Sequence, residues 1–172
     1  AGEGLGNKFL SHIREVDAIV EVVRCFENDD ITHVEGSVDP IRDIEIINAE
    51  LILADLEIIE NRIAKIGKRA QMSKDKAEQV EIAVLNKCKE ALLANIPLRR
   101  VEFTKEEMPF IKGFQFITQK PIIYVANVSE DDVAVGHNQY SDIVADYASK
   151  ENAGVIVMSC KIEEDLAGLS DD

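Results

Sequence analysis

Pro121-Ile-Ile-Tyr-Val-Ala-Asn-Val-Ser-Glu130 is the stretch from which the rest of the chain can be ordered. Its first six residues are β-branched, aromatic and almost continuously apolar. A half-exposed strand would alternate, so this pattern suits a strand buried on both faces of a parallel sheet. The polar residues Asn127 to Glu130 then fall at that strand's carboxyl end. Two more runs have the same character: Asp17 to Arg24 (DAIVEVVR) before it and Gly154 to Met158 (GVIVM) after it. Between the last two, Tyr140 to Lys150 is amphipathic at helical spacing, and Ile162 to Leu169 reads as a further helix. Strands alternating with helices predict an α/β fold: a mostly parallel sheet with helices on both faces and right-handed crossovers.

From Ile41 the period changes. Ile44, Ile47, Leu51, Ala54 and Ile58 step by three and four, and the stripe then slips one residue to Ile59, Ile63 and Ile66. Asp39 is placed to N-cap this helix, with Pro40 at its first position. Gly67 is the expected stop, followed by a polar tip from Lys68 to Lys76. A second helix is expected from about Ala77 to Ala94, with Val80, Val84, Cys88 and Ala91 or Leu92 facing inward and Pro97 ending it. Matching stripes joined by a short polar tip predict an antiparallel helical hairpin inserted into the sheet domain. A first arm of about 28 residues reaches about 40 Å and should project. Thr104 and Glu107 have capping-box spacing and mark a short helix within the mixed stretch Val101 to Gln119. The expected domains are 1–40 with 98–172 for the sheet, and 41–97 for the coiled-coil insertion.

The 172 residues are 46% hydrophobic and 30% charged, enough for one folded domain with an appendage. No apolar run approaches the roughly 20 residues that span a bilayer, and Ala1 to Gly6 is not a signal peptide, so a cytoplasmic protein without membrane association is expected. Cys25, Cys88 and Cys160 are odd in number and lack CxxC spacing, as for reduced thiols rather than disulfides or a zinc site. The net charge of −14 repels phosphate backbones at long range, so direct nucleic-acid binding is not expected. The basic clusters Lys65, Lys68, Arg69, Lys74, Lys76 and Arg99, Arg100 read as solvated helix surface. His12 and His33 lack partners at metal spacing, and Asp29, Asp30, Glu35 and Asp39 read as a solvated acidic loop. No metal site is expected.

Ligands of open parallel sheets bind at the carboxyl ends of the strands. Two segments occupy those positions: Asn127-Val-Ser-Glu130 and Ser159-Cys-Lys161. P-loop GTPases carry their base-recognition motifs, NKxD and SAK, in these two places. On that analogy Asn127 orients the loop and contacts a purine, Glu130 offers an acceptor to the base edge, and the backbone around Ser159 and Cys160 closes the pocket. NxxE alone is weakly specific; paired with SCK after the next strand it gains weight. Gly2, Gly4 and Gly6 depart from GxGxxG spacing and no strand precedes them, which rejects a dinucleotide loop. A mobile switch leading into a helix with Phe9, Leu10 and Ile13 on one face fits, as does a frayed helix-leading loop.

Three blocks carry a resemblance: GEGLGNKFLSHIRE (2–15), VVRCFENDDITHVEGSVDPIRDIEIINAEL (22–51) and ANVSE (126–130). Together they closely resemble the YchF or Obg-like ATPase family, over nearly the whole chain. The resemblance implies a P-loop NTPase of the translation-factor class, hydrolysing ATP, with GTP as a second substrate, with Mg²⁺ as a switch. It further implies a coiled-coil insertion, a C-terminal TGS domain and the ribosome as partner. It carries Asn127, Val128 and Glu130 over as adenine-site residues, with Ser159 and Cys160 flanking the base. Gly2, Gly4 and Gly6 map just after the family's DxAG switch motif.

NxxE in place of NKxD gives a preference for ATP a physical logic. The Asp of NKxD accepts two guanine hydrogens together. A longer Glu disturbs that pairing, and a lost hydrogen bond to a buried base costs roughly 1–3 kcal/mol. No G-x-x-x-x-G-K-[ST] occurs in the chain. The family's phosphate loop and DxAG aspartate are therefore expected before Ala1 and the TGS region after Asp172. The chain itself is expected to bind nucleotide weakly, to hold no catalytic residue and to hydrolyse nothing. The competing readings are a non-catalytic acidic interaction module built on the hairpin and a true GTPase.

Overall fold

The computed structural model describes residues 17–27, 38–72 and 75–160. The glycine segment with Gly2, Gly4 and Gly6, the residues His12, Asp29, Asp30, His33, Glu35 and Lys161, and the helix expected at 162–169 lie outside the described residues. In chain order the elements are β1 (Ile19–Arg24), α1 (Pro40–Met72), α2 (Lys76–Leu93), α3 (Met108–Phe114), β2 (Ile122–Asn127), α4 (Glu130–Val135), α5 (Gln139–Lys150) and β3 (Gly154–Met158). Single 3-10 turns at Leu98–Arg100 and Ile117–Gln119 complete the set. The chain divides into two compact units: Ala18–Ile47 with Ile122–Asp172, and Ala1–Asp17 with Asn48–Pro121.

The first unit holds the sheet. Its three strands are parallel in the order β1-β2-β3, pairing Ile19 with Ile122 through Arg24 with Asn127, and Ile123 with Gly154 through Asn127 with Met158. Side chains alternate across a strand, so each row of register partners shares a face. Val23, Ile122, Tyr124 and Ala126 point to one face, where they pack with Val144 and Ala148 of α5 and with Ile44 near the start of α1. On the other face Val20, Val22 and Ile156 are 59%, 52% and 52% exposed. Val125, in register between Val22 and Ile156, is nonetheless buried, so this second face is open along the two outer strands and closed at its centre. The apolar reading of β1 holds for its pairing, while only its odd-numbered row is buried by described elements. On the covered face the Tyr124 hydroxyl donates to Glu151 Oε2 at 2.8 Å.

The second unit is helical. α1 passes straight through Gly67, where a stop was expected, and ends at Met72. A helical glycine costs only about 1 kcal/mol relative to alanine. Ile66 is buried beside it, and Arg69, two residues on, pairs with Glu78 of α2 at 2.8 Å. Further back Arg62 pairs with Glu81 at 2.7 Å. The order of the two pairs sets the helices antiparallel. Asp75 caps α2, accepting from the Ala77 N–H at 2.9 Å. Val84, Cys88 and Leu92 share one core with α1 residues Ile59 and Ile66, as the stripes predicted; Leu85, outside the expected stripe, joins them, with Val80 and Ile63 packed at its margin.

Leu98, Ile111 and Phe116 share that same core, so the stretch up to Pro121 packs with the helices, while residues before Asn48 pack with the sheet. The compact units thus divide the chain at other points than the sequence-based boundaries. A fully buried carboxylate holds the 98–121 segment to α1: Asp55 accepts from the N–H groups of Ile117 at 3.0 Å and Thr118 at 2.8 Å. The Thr104–Glu107 box forms one turn ahead of α3. Thr104 N–H donates to Glu107 Oε1 at 2.9 Å, and Glu107 N–H to Thr104 Oγ1 at 3.3 Å.

Candidate functional site

Asn127 closes β2, and its backbone is held from both sides. Its carbonyl accepts the Cys25 N–H at 2.8 Å, while the next residue, Val128, donates its N–H to Met158 O at 2.9 Å. The ladder therefore runs past the strands and brings their three carboxyl ends level. Beyond it, the Cys160 N–H donates to Asn127 Oδ1 at 3.0 Å. The loops after β2 and β3 are thus joined at one edge of the sheet. Since an N–H needs an acceptor, the amide oxygen of Asn127 is committed to Cys160. Its Nδ2, with two hydrogens to donate, has no partner among the described residues.

The other expected residues fall in different roles. Val128 is buried in the sheet core, its N–H already used, so its side chain supports the loop from beneath. Ser129 N-caps α4, accepting the Asp132 N–H at 3.3 Å. Glu130 is the exposed first residue of that six-residue helix, in a turn shared with Asp131 and Asp132. Negative charge in a first turn is favoured by the helix dipole. Ser159 is buried and Cys160 half-buried. Gly2, Gly4 and Gly6 lie outside the described residues.

Two residues at this edge escaped sequence reasoning. Arg24 stands in register with Asn127 and Met158. Its Nε donates to Phe26 O at 3.0 Å, and its guanidinium lies 5.4 Å from the centre of the Phe26 ring. Asn138 donates from Nδ2 to Cys25 O at 2.8 Å and to Asp132 Oδ2 at 2.9 Å. Its Oδ1 accepts the Ser141 N–H at 2.8 Å, and Ser141 Oγ accepts the Asn138 N–H at 2.8 Å. One side chain therefore caps α5, anchors α4 and grips the end of β1. The spacing of Asn138 and Ser141 ahead of an amphipathic run was the available signal. Nothing in a lone sequence marks Arg24.

The Cys25 thiol, buried at this edge, is pushed up to about 12 by burial and next by the carboxylate of Asp43. It stays protonated. Among the described residues no group of three or more His, Cys, Asp or Glu is arranged to hold a metal ion, and no helix is long and apolar enough to cross a membrane. The edge offers directional hydrogen-bonding groups suited to the rim of a planar base. The described residues supply neither a phosphate cradle nor Mg²⁺ ligands.

No protein-family model matches the chain. Individual proteins do. It is 55% identical over 169 residues to the ribosome-binding ATPase YchF of Bacillus subtilis (strain 168), spanning 98% of this chain and 46% of that protein. It is 46% identical over 171 residues to the ribosome-binding ATPase YchF of Escherichia coli O157:H7, spanning 99% and 46%. The solved structure of the Schizosaccharomyces pombe YchF GTPase matches with a TM-score of 0.82 at 35% identity, covering 94% of this chain and 45% of that one. The chain thus spans just under half the length of the curated relatives it matches. Across the part it shares with them, the chain is similar to YchF proteins of bacteria and fission yeast.

Proposed function

We propose that this chain supplies the base-binding edge of a P-loop ATPase that acts as a nucleotide switch on the ribosome in the cytoplasm. The observation that carries the reading is the hydrogen bond from the Cys160 N–H to Asn127 Oδ1, which closes the two loops around one edge. In this reading Asn127 donates from Nδ2 to a purine ring nitrogen. Glu130 faces the base rim from the start of α4, the backbone at Ser159 and Cys160 flanks the ring, and Gly2, Gly4 and Gly6 belong to the nucleotide-sensing switch. Residues 41–97 serve as the arm toward the partner. The bacterial relatives are named ribosome-binding ATPases and the fission-yeast structure a GTPase, and these names support a purine triphosphate and a ribosomal partner. Glu130 in the place of the GTPase Asp favours adenine. Phosphates and Mg²⁺ belong to a G-x-x-x-x-G-K-[ST] loop that these 172 residues do not contain, so no hydrolytic step is assigned to them.

Calorimetric titration of the protein carrying its phosphate-binding loop, with ATP and GTP in parallel, tests the reading. Tighter binding of ATP is expected. Tighter GTP would reject the adenine assignment, and binding of neither would remove the site.

A further inference from the structure

An asparagine amide carries an acceptor and a donor in one plane, and the turn of that plane decides which of them meets a ligand where. At Asn127 the turn is set inside the protein. The Cys160 N–H meets Oδ1 at 3.0 Å, so turning the amide over would bring two donors, that N–H and Nδ2, against each other. Other donors at this edge are spent as well. Val128 N–H goes to Met158 O and Cys25 N–H to Asn127 O, while Asn138 Nδ2 serves Cys25 O and Asp132 Oδ2. What Asn127 presents is therefore a fixed pair: Nδ2 as donor, and the second lone pair of Oδ1 as acceptor.

One rim of adenine has the complementary order, the N7 acceptor beside the 6-amino donor, and an asparagine amide pairs with both. A 6-oxo purine such as guanine offers two acceptors on the same rim. To meet the oxo group the amide must turn over, which breaks the bond to Cys160, or a second N–H must help, and that of Cys160 is already spent. We propose that the Cys160 backbone N–H is a positioning group that locks the Asn127 amide, and that the locked amide selects nucleotides of 6-amino purines over those of 6-oxo purines. The inference rests on the base-binding reading above and puts the discrimination at position 6 of the ring, apart from Glu130. A bond that only ties the two loops together would affect all purines alike. A bond that fixes the amide changes their ratio.

Calorimetric titration of the protein carrying its phosphate-binding loop, with ATP, inosine triphosphate and 7-deaza-ATP, tests it. Inosine triphosphate replaces the 6-amino group by an oxo group, and 7-deaza-ATP lacks the N7 acceptor. Each is expected to bind about tenfold more weakly than ATP, the effect of one lost hydrogen bond. Cys160→Pro deletes the N–H, at a residue whose helical backbone suits the fixed φ of proline. Its preference for ATP over inosine triphosphate should fall toward unity, whereas Cys160→Ala, which keeps the N–H, should keep the parent's ratio. Equal binding of ATP and either analogue by the parent would overturn the proposal, as would a Pro variant with the parent's ratio or an Ala variant without it. The two analogues need no variant, so they decide the matter if the Pro variant does not fold. Binding of none of the three nucleotides by the parent would instead remove the base-binding reading itself.

Discussion

Asn127 and Cys160, 33 residues apart in the chain, are joined across the carboxyl end of the sheet by a single hydrogen bond of 3.0 Å from the Cys160 N–H to Asn127 Oδ1. The bond divides the asparagine amide into an oxygen that holds a loop and a nitrogen that remains available. Asn127→Asp separates the two halves, since it keeps an acceptor for Cys160 and replaces the donor. Folding stability is expected to change by less than about 0.5 kcal/mol. Nucleotide affinity should fall about tenfold, for a lost hydrogen bond of roughly 1–3 kcal/mol. Asn127→Ala should lose about 1 kcal/mol of stability as well. Denaturant melts and calorimetry on both variants check this; an Asp variant that binds ATP like the parent would remove Nδ2 from the base.

Asp55 is the buried carboxylate on which the 117–119 turn hangs. Asp55→Ala would leave two buried N–H groups unpaired, and about 2–5 kcal/mol of stability should go. Asp55→Asn keeps one acceptor and turns its NH₂ toward the other donor, so its cost should be intermediate. Urea unfolding followed by circular dichroism gives both numbers. A neutral Ala variant would mean that the turn is held by its apolar contacts alone.

The strands were legible because each is short, apolar and followed by polar residues, and all three were found within two residues of their expected bounds. The hairpin stripes were legible for the same reason: Ile59, Ile66, Val84 and Cys88 repeat at helical spacing and are buried in one core, whereas Ile44, expected in the same stripe, is buried against the sheet. Gly67 misled because a propensity penalty of about 1 kcal/mol is smaller than the packing and ion pairs on either side of it. The edge was half legible. Asn127 and Cys160 stood at strand ends, where topology puts ligands. Asn138 was hidden because its value lies in contacts to Cys25 and Asp132, one of them 113 residues away. α4 was hidden behind the motif reading of Glu130, although Ser129 and Asp132 had the spacing of a cap.

Glu107 gives a pH signature. The Thr104 N–H foremost, and then the Lys87 ammonium at 3.1 Å, hold its carboxyl below the ordinary 4.5. A depressed folded-state value contributes stability that is complete above the unfolded value and fades as pH falls through the folded one. Glu107→Gln removes that contribution. The stability gap between parent and variant should be about 1 kcal/mol or less near neutrality and should close below pH 4.5. A gap that stays constant down to the acid transition would show that the box acts through shape rather than charge.

The three thiols should divide two to one. Cys25 and Cys88 are fully buried, and burial pushes both up to about 12, so neither offers a thiolate near neutral pH. Cys160 is half-buried at the sheet edge. Maleimide labelling of the native chain, mapped by mass spectrometry, should therefore mark Cys160 first, with Cys25 and Cys88 following only as urea unfolds the protein. Because the N–H of Cys160 itself holds Asn127, an adduct there should weaken nucleotide binding, and bound nucleotide should slow the labelling. Labelling of Cys25 as fast as Cys160 would mean that the end of β1 opens in the native state. The bonds from Cys25 to Asn127 and Asn138 could then not be holding the edge together.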